Sequence, residues 1–271
     1  MTEPKVVAII QGRMSSSRLP GKILRDLGGQ PMLGRVIERV RRARALTLVL
    51  VATTTDPSDD PVEAYCRSRD YPVFRGDMFD VLDRYYHAAL QSKAEVIVRI
   101  TADCPVIDPA LIDLVVEEFR RSDTDFAANR LPPPWKRTFP VGLDVEACTF
   151  PALERAWREA DQLFQREHVM PYFYEGIPVE AFDMTKTSRV VSPRGFNVLL
   201  VNHLPDLGSK RWTVDTPEDL ALMQQVYAHF GGRDDFSWTE VLSLFEHDPN
   251  LADLNAGVEH KSAFDVDNRR H

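Results

Sequence analysis

The chain has 271 residues, with 41 acidic and 33 basic side chains and a formal net charge of −8 at pH 7. This length is enough for one sizeable domain with its own core, and the acidic balance argues against a protein that wraps nucleic acid through a broad basic face. No apolar run approaches the length of about 18 residues that a membrane span needs, so we expect a cytoplasmic protein without membrane contact.

Apolar runs alternate with amphipathic stretches in the first half of the chain. Residues 6–10, 46–53 and 96–101 are rich in valine and isoleucine, as is a shorter run near Val73. Such runs are typical of buried parallel strands. The intervening stretches, which begin after Gln30, Asp59 and Phe79, have helical periodicity. The alternation predicts an α/β fold with a mostly parallel sheet and right-handed crossovers.

The second half departs from this rhythm. A proline cluster and irregular segments predict a small appended lobe over about residues 130–200, inserted in a single domain of residues 1–255. The segment RWTVDTPEDL then restores the pattern, with Asp215 placed at the end of a short strand like Asp103, and with Thr216 and Pro217 as cap and first-turn proline of a helix. Residues 256–271 are expected to form a loosely held polar tail.

The first loop concentrates cations among small residues. QGRMSSSRLPGK, residues 11–22, places Arg13, Arg18 and Lys22 directly after the first strand. Backbone N–H groups and fixed cations in such a loop can hold phosphate oxygens at the carboxyl edge of a parallel sheet. The loop is not a Walker A motif, because Lys22 is followed by Ile23 and Ser16 stands where the first glycine would be. A solvated basic loop is the alternative that composition leaves open.

Five segments in order carry a resemblance: VVAIIQGRMSSSRLPGKIL, RGDMFDVLDRYYHAA, RITADCPVIDP, GLDVEACTF followed by REHV, and RWTVDTPEDL. Together they resemble the cytidylyltransferase superfamily that includes CMP-Kdo and CMP-sialic acid synthetases. The spore-coat polysaccharide biosynthesis branch is the most similar, over about residues 6–227. The resemblance implies a Rossmann-like nucleotidyltransferase fold of the glycosyltransferase-A type, with a mixed, mostly parallel sheet. It also implies a homodimer formed through the lobe.

The resemblance further implies a reaction. A cytidylyltransferase of this kind transfers CMP from CTP to a sugar or sugar-like acceptor, requires Mg²⁺ and releases pyrophosphate. The implied nucleotide-binding residues are Gln11, Gly12, Arg13, Ser16, Ser17, Arg18, Lys22, Arg75, Asp77, Thr101 and Ala102. The implied catalytic residues are Lys22, Arg13, Asp103 and Asp215, of which the two aspartates would bind the metal.

The predicted positions of Asp103 and Asp215 also favour a metal site. Each follows a predicted strand, so both carboxylates are expected at the carboxyl edge of the sheet, where they can share a hard cation. Helix or turn capping is the alternative for either residue. Capping is the expected role of Asp80, which precedes the helical stretch DVLDRYYHAA.

The acceptor side is predicted from a second group of polar residues. Asp144 and Glu146 alternate on a strand-like segment and so share a face, while Arg99 is costly to bury without an anionic partner. By resemblance, Asp144, Glu146, Arg166, Glu167 and His168 bind the acceptor. Arg99 is predicted to join them, because once buried it must meet either a phosphate or a carboxylate. A salt-bridge network would explain the same residues.

Other functions are also compatible with the sequence. The base could be guanine in GTP, and the acceptor could be a phosphonate or a cyclitol phosphate. A glycosyltransferase with a DxD motif is a separate class of enzyme, and two such strings occur, at residues 123–125 and 265–267. An inactive nucleotide-binding scaffold would lack a motif acid, yet Asp103 and Asp215 are both present.

Overall fold

The computed structural model describes residues 3–259 and 266–267. Its strands form one eight-stranded sheet in the order β3-β2-β1-β4-β6-β5-β8-β7. The strands are β1 (Val6–Gln11), β2 (Leu48–Thr54), β3 (Val73–Gly76), β4 (Val96–Thr101), β5 (Phe126–Ala128), β6 (Glu146–Thr149), β7 (Ser188–Val191) and β8 (Asn197–Leu200). The helices are α1 (Met32–Val40), α2 (Asp60–Ser68), α3 (Val81–Ser92), α4 (Pro109–Ser122), α5 (Phe150–Glu159), α6 (Leu163–His168), α7 (Pro171–Tyr174), α8 (Pro217–His229) and α9 (Trp238–His247).

The first four strands form the parallel half of the sheet. Strand β1 pairs in parallel with both β2 and β4, and β2 pairs in parallel with β3. All of the strands and helices predicted in this half are present, and β4 has the predicted bounds. The mixed, mostly parallel Rossmann-like sheet expected from the sequence is therefore confirmed.

The remaining strands extend the same sheet. Strand β6 runs antiparallel to β4 and β5, β8 runs parallel to β5, and β7 lies antiparallel to β8 at the edge. The segment 130–200, predicted as a lobe, thus contributes β6, β7 and β8 to the central sheet and also carries α5, α6 and α7. The division of the chain into domain, lobe and tail stays a prediction.

Helices cover both faces of the sheet. In β1, Ala8 packs into a core that includes Val36 of α1, whereas the neighbouring Ile9 packs into a second core that includes Leu82 and Tyr85 of α3. Adjacent residues of a strand point to opposite faces, and here both faces are buried. This explains why β1 is a continuous apolar run rather than an alternating one.

Local signals at helix starts are confirmed. The Asp80 carboxylate accepts the N–H of Asp83 at 2.9 Å, so Asp80 is the N-cap of α3. Thr216 caps α8 in a reciprocal pair with Asp219, and Pro217 is the first helical residue. Both arrangements satisfy N–H groups that lack a partner within the helix.

The expected strand at RWTV does not form. Arg211 makes a single bridge with Val141 instead, and the Val214 N–H donates to the Asp103 carbonyl at 2.8 Å. This hydrogen bond ties the segment that leads to Asp215 against the loop after β4. The predicted location of Asp215 is therefore correct, although a loop rather than a strand places it there.

Cys66, Cys104 and Cys148 are free and buried. In the described ranges, none of the helices has the length and apolar character to cross a membrane.

We predict that Gly142→Ala destabilises the fold beside the RWTV segment. Gly142 has φ +103°, and a Cβ there would lie 2.6 Å from the Thr213 backbone nitrogen. Positive φ and a backbone clash together should lower the free energy of unfolding by about 2–4 kcal/mol in a denaturant titration. Gly29→Ala is the matched control, because Gly29 has φ +92° with nothing within 4 Å. An equal loss in both variants would show that the contact with Thr213 has no effect.

Candidate active site

A cavity of about 460 Å³ opens at the carboxyl edge of β1 and β4. It collects most of the residues predicted to bind nucleotide and metal. The predicted residues that line it are Gln11, Gly12, Arg13, Ser16, Ser17, Arg18, Lys22, Thr101, Ala102, Asp103, Glu167, His168 and Asp215. The basic loop, both aspartates and part of the predicted acceptor set therefore share one site.

The floor of the cavity depends on the close approach of two chain segments. Gln11 and Thr101 are register partners at the ends of β1 and β4, and the Ala102 N–H donates to the Gln11 carbonyl at 2.8 Å. A Cβ on Gly12 would lie 2.8 Å from the Ala102 Cβ. Glycine at this position lets the basic loop leave the sheet directly beside the loop that carries Asp103.

The basic loop is anchored by a buried carboxylate. Asp59 Oδ1 accepts the Met14 N–H at 2.7 Å, while its Oδ2 accepts from the Thr53 hydroxyl at 2.8 Å. The Met14 carbonyl in turn accepts the Gly21 N–H at 2.8 Å. Gly21 has φ +71° and begins a 3₁₀ turn at Lys22. These contacts fold the loop back so that Lys22 enters the protein interior.

Lys22 lies between the two predicted metal ligands. Its Nζ is 2.7 Å from Asp103 Oδ2 and 2.8 Å from Asp215 Oδ1, and it also donates to the Val214 carbonyl at 2.8 Å. Burial by itself would lower the pKa of Lys22, but the carboxylates of Asp103 and Asp215 outweigh burial and raise that pKa above its ordinary value. Lys22 was expected to contact the triphosphate, whereas here it neutralises the two acids.

Asp215 has two further cationic neighbours. Its Oδ2 lies 2.9 Å from Arg18 Nη2 and 3.0 Å from Arg211 Nη2. Burial would raise the pKa of Asp215, but Lys22, and after it Arg18 and Arg211, hold that pKa well below its usual range. Arg211 also pairs with the fully buried Asp219 at 2.8 Å. Asp215 is therefore ionised and fixed in orientation by its neighbours.

The carboxylates fit a magnesium ion. Asp103 and Asp215 come from separate segments, and their oxygens converge on one cation, the Lys22 ammonium. Mg²⁺ prefers oxygen ligands, and proteins usually supply only one or two carboxylates while water and phosphate oxygens complete the shell. In the described ranges, no group of three or more His, Cys, Asp or Glu side chains is arranged to hold a metal. Asp103 and Asp215 are the residues that would hold Mg²⁺, because their oxygens are the donor type that this ion prefers.

Two of the predicted nucleotide-binding residues lie outside the cavity lining. Arg75 Nη1 is 2.6 Å from Glu63 Oε2 and 2.7 Å from Asp60 Oδ1, both on α2. Asp77 Oδ1 accepts the Asp80 N–H at 2.7 Å and so stabilises the turn before α3. Both side chains are engaged in local structure that connects β3 to its flanking helices.

Three of the predicted acceptor residues form an ion-pair network outside the cavity lining. Arg99 pairs with Glu146 at a buried position on neighbouring strands. Asp144 pairs with Arg137 at 2.8 Å and with Arg130 at 3.3 Å, and Arg130 also reaches Glu146 at 3.9 Å. Asp144 and Glu146 do share a side, as predicted. The structure shows the salt-bridge network that was the alternative explanation, and an acceptor role stays a prediction.

The remaining acceptor candidates are divided. Arg166 contacts both Asp80 carboxylate oxygens, with its Nη2 2.6 Å from Oδ2, and it donates to the Trp157 carbonyl at 2.6 Å. It thereby ties α6 to the start of α3. Glu167 and His168, which follow it in the chain, line the cavity. Within REHV, only the last two of these polar residues face the site.

Residues that the sequence reasoning missed also line the cavity: Ile23, Val81, Arg84, Val266 and Asp267. Arg84 is 1% exposed and donates to the Asp77 carbonyl, and its Nε has no hydrogen-bond partner among the described residues. Burial lowers the pKa of Arg84 to about 10. A cation on the apolar face of α3 was a usable signal for it, whereas Asp267 was noted only as part of the DxD string at residues 265–267, within the predicted polar tail.

A family model described as Cytidylyltransferase matches residues 7–187 of the chain. The chain belongs to this family. Cytidylyltransferases are nucleotidyltransferases, so this protein is an enzyme of that class. The match confirms the resemblance read from the five sequence segments.

Individual relatives extend over nearly the whole cytidylyltransferase chain. An uncharacterized protein of Methanocaldococcus jannaschii is 32% identical and covers 97% of this chain and 99% of its own. The spore coat polysaccharide biosynthesis protein SpsF of Bacillus subtilis is 30% identical, covering 91% of this chain and 96% of its own. A solved cytidylyltransferase from Leptospira borgpetersenii has a TM-score of 0.82 at 30% identity, and it covers 95% of this chain and 100% of its own.

The two DxD strings give no support to the glycosyltransferase hypothesis. The first DxD string includes Asp125, whose carboxylate accepts the Asn197 N–H at 2.7 Å and so supports β8 rather than the cavity. Asp265 in the second string lies outside the described residues. The family and the position of Asp125 both favour nucleotidyl transfer by this cytidylyltransferase.

We predict that Lys22→Met lowers the free energy of unfolding at pH 7 by about 3 kcal/mol, because two carboxylates lose a buried partner. The deficit should shrink at pH 3.5. The lowered pKa of Asp215 gives the wild type stability that is complete above about pH 4 and lost as the pH falls. Without Lys22 that pKa rises, so the variant loses less on acidification. Urea unfolding at both pH values measures this change.

Lys136→Met provides the control for this comparison, because Lys136 is exposed. It should leave the free energy of unfolding unchanged at both pH values. A Lys22→Met deficit of the same size at pH 7 and pH 3.5 would contradict the proposed dependence on carboxylate charge.

Proposed function

We propose that this cytidylyltransferase transfers CMP from CTP to a sugar or sugar-like acceptor in a reaction that depends on Mg²⁺ and releases pyrophosphate. The observation that carries the proposal is the convergence of Asp103 and Asp215 beside the arginine loop in one cavity. The Bacillus subtilis relative is named for spore coat polysaccharide biosynthesis. A relative in Anaeromyxobacter dehalogenans, 30% identical over 79% of this chain, is named 3-deoxy-manno-octulosonate cytidylyltransferase.

The reaction places defined demands on the site. An acceptor oxygen attacks the α-phosphorus of CTP, the bond from that phosphorus to the bridging oxygen of the β-phosphate breaks, and the acceptor proton is released. Negative charge builds up on the leaving pyrophosphate. Because phosphoryl transfer needs little covalent chemistry from the protein, positioning and charge neutralisation dominate catalysis.

The residues of the cavity match these demands. Asp103 and Asp215 would hold the magnesium ion, which supplies charge neutralisation at the phosphates. Lys22 keeps the two carboxylates together, and Arg13 and Arg18 are the cations of the loop that are available for the β- and γ-phosphates. Release of Arg18 from Asp215 would also return an acid oxygen to the metal site.

The acceptor is assigned to the side of the cavity formed by α6. Glu167 and His168 line it there, and His168 is the one histidine of the described lining that could take a proton from an acceptor hydroxyl. The acceptor would be activated for polysaccharide or glycoconjugate synthesis. Formation of a homodimer belongs to the same proposal.

We predict that the site selects CTP over other nucleoside triphosphates. CTP with Mg²⁺ should raise the melting temperature more than GTP, UTP or ATP with Mg²⁺, because a ligand that binds only the folded state stabilises it by mass action. Thermal unfolding with each nucleotide, with and without Mg²⁺, measures this. A selective shift with GTP would replace the base in the proposal, and no shift with any triphosphate would contradict it.

We predict that both aspartates are needed for activity. Asp103→Asn and Asp215→Asn should each reduce Mg²⁺-dependent release of pyrophosphate from CTP by about a hundredfold or more, with the fold retained in circular dichroism. Asp70→Asn is a matched control, since Asp70 is exposed and its φ of 54° suits asparagine. Full activity of either site variant would contradict the metal assignment.

A further inference from the structure

Two residues near the C-terminus reach the nucleotide cavity. Val266 and Asp267 are among the residues that line it, together with Ser16, Ser17 and Arg18 of the basic loop. Asp267 is more than 250 residues from Arg13 in the chain, yet Arg13 Nη2 lies 2.7 Å from Asp267 Oδ2. The carboxylate of Asp267 thus forms an ion pair with Arg13, a cation of the predicted phosphate-binding loop.

We infer that Asp267 competes with the triphosphate for Arg13, so that this carboxylate lowers the affinity of the site for nucleotide. This inference rests on the proposed function, because it takes Arg13 as a phosphate ligand. A carboxylate and a phosphate use the same donors on a guanidinium group. A carboxylate and a phosphate cannot both accept the same N–H group of Arg13.

The contacts of Arg13 leave it engaged on two sides. Its Nη1 donates to the Met78 carbonyl at 3.2 Å, while Nη2 pairs with Asp267. The Arg13 and Asp267 side chains are 22% and 10% exposed, so solvent screens the pair only in part. Arg13 must release Asp267 before it can turn this amino group toward a phosphate.

Asp267 and Arg18 make further contacts at the cavity. The Asp267 N–H donates to Glu167 Oε2 at 2.9 Å, so Asp267 is fixed through its backbone as well as its side chain. Arg18 Nη1 donates to the Glu259 carbonyl at 3.5 Å while its Nη2 pairs with Asp215 at 2.9 Å. Both arginines of the loop therefore have partners that a bound triphosphate would have to displace.

The balance between the two ligands follows from charge and tethering. Asp267 belongs to the same chain, so its effective concentration at Arg13 does not depend on dilution. A triphosphate carries several charges and gains contacts with Arg18 and the metal as well, so it displaces a single carboxylate. The apparent affinity for nucleotide is then the intrinsic affinity multiplied by the fraction of molecules in which Arg13 is released from Asp267.

The test is a comparison of Asp267→Asn with the wild type in the full chain. Isothermal titration with Mg-CTP, and separately with inorganic tripolyphosphate, should give a Kd about three- to fivefold lower for the variant, the size expected for a partly exposed ion pair. Asp253→Asn makes the same charge change at an exposed position outside the cavity lining. It should leave both Kd values unchanged.

A double-mutant cycle assigns the effect to the contact itself. In an Arg13→Ala background, Asp267→Asn should no longer lower either Kd, because the pair is already broken. A gain that persists in that background would mean a general effect of charge and would overturn the inference.

Two other results would also overturn it. Unchanged or weaker binding of CTP by Asp267→Asn would show that the carboxylate does not compete. If neither protein binds CTP, another nucleoside triphosphate or tripolyphosphate, the proposed function fails together with the inference. Binding of CTP by the wild type with no gain in the variant removes only the inference.

Discussion

The organisation of the site depends on one buried ammonium group. Lys22 Nζ lies 2.7 Å from Asp103 Oδ2 and 2.8 Å from Asp215 Oδ1, and its positive charge offsets the repulsion between these two neighbouring carboxylates. The cluster of Lys22, Arg18 and Arg211 with Asp103, Asp215 and Asp219 is neutral, with three charges of each sign. The neighbouring cations therefore keep the Asp215 carboxylate ionised and offset the charge of the other two acids.

The sheet explains why so much of this site was visible in the sequence. Strands β1 and β4 are buried on both faces, so they read as continuous apolar runs, and the polar residues directly after them had to lie at one edge. Gln11, Gly12, Thr101 and Ala102, which the family resemblance implied as nucleotide-binding residues, lie at this edge and line the cavity. The loop cations and Asp103 followed from the same geometry.

The parts that sequence reasoning missed depend on contacts between distant segments. RWTV is not a strand, because its carboxyl end bonds to the Asp103 carbonyl rather than to a strand. The pairing of Lys22 with Asp103 and Asp215 had no local signal, because both acids are far away in the chain; its predicted contact with phosphate stays a prediction. Asp267 lies in a polar segment with no periodicity, and its pairing with Arg13 has no local signature.

The hydrogen bond from Lys22 to the Val214 carbonyl joins residues 192 positions apart. Synthesis of the chain supplies the arginine loop and Asp103 early, but Asp215 arrives only after all eight strands have been made. An incomplete chain therefore lacks half of the acid pair and the loop that orders it. The cluster that joins Asp103 to Asp215 through Lys22 is therefore completed only after the whole sheet has been synthesised.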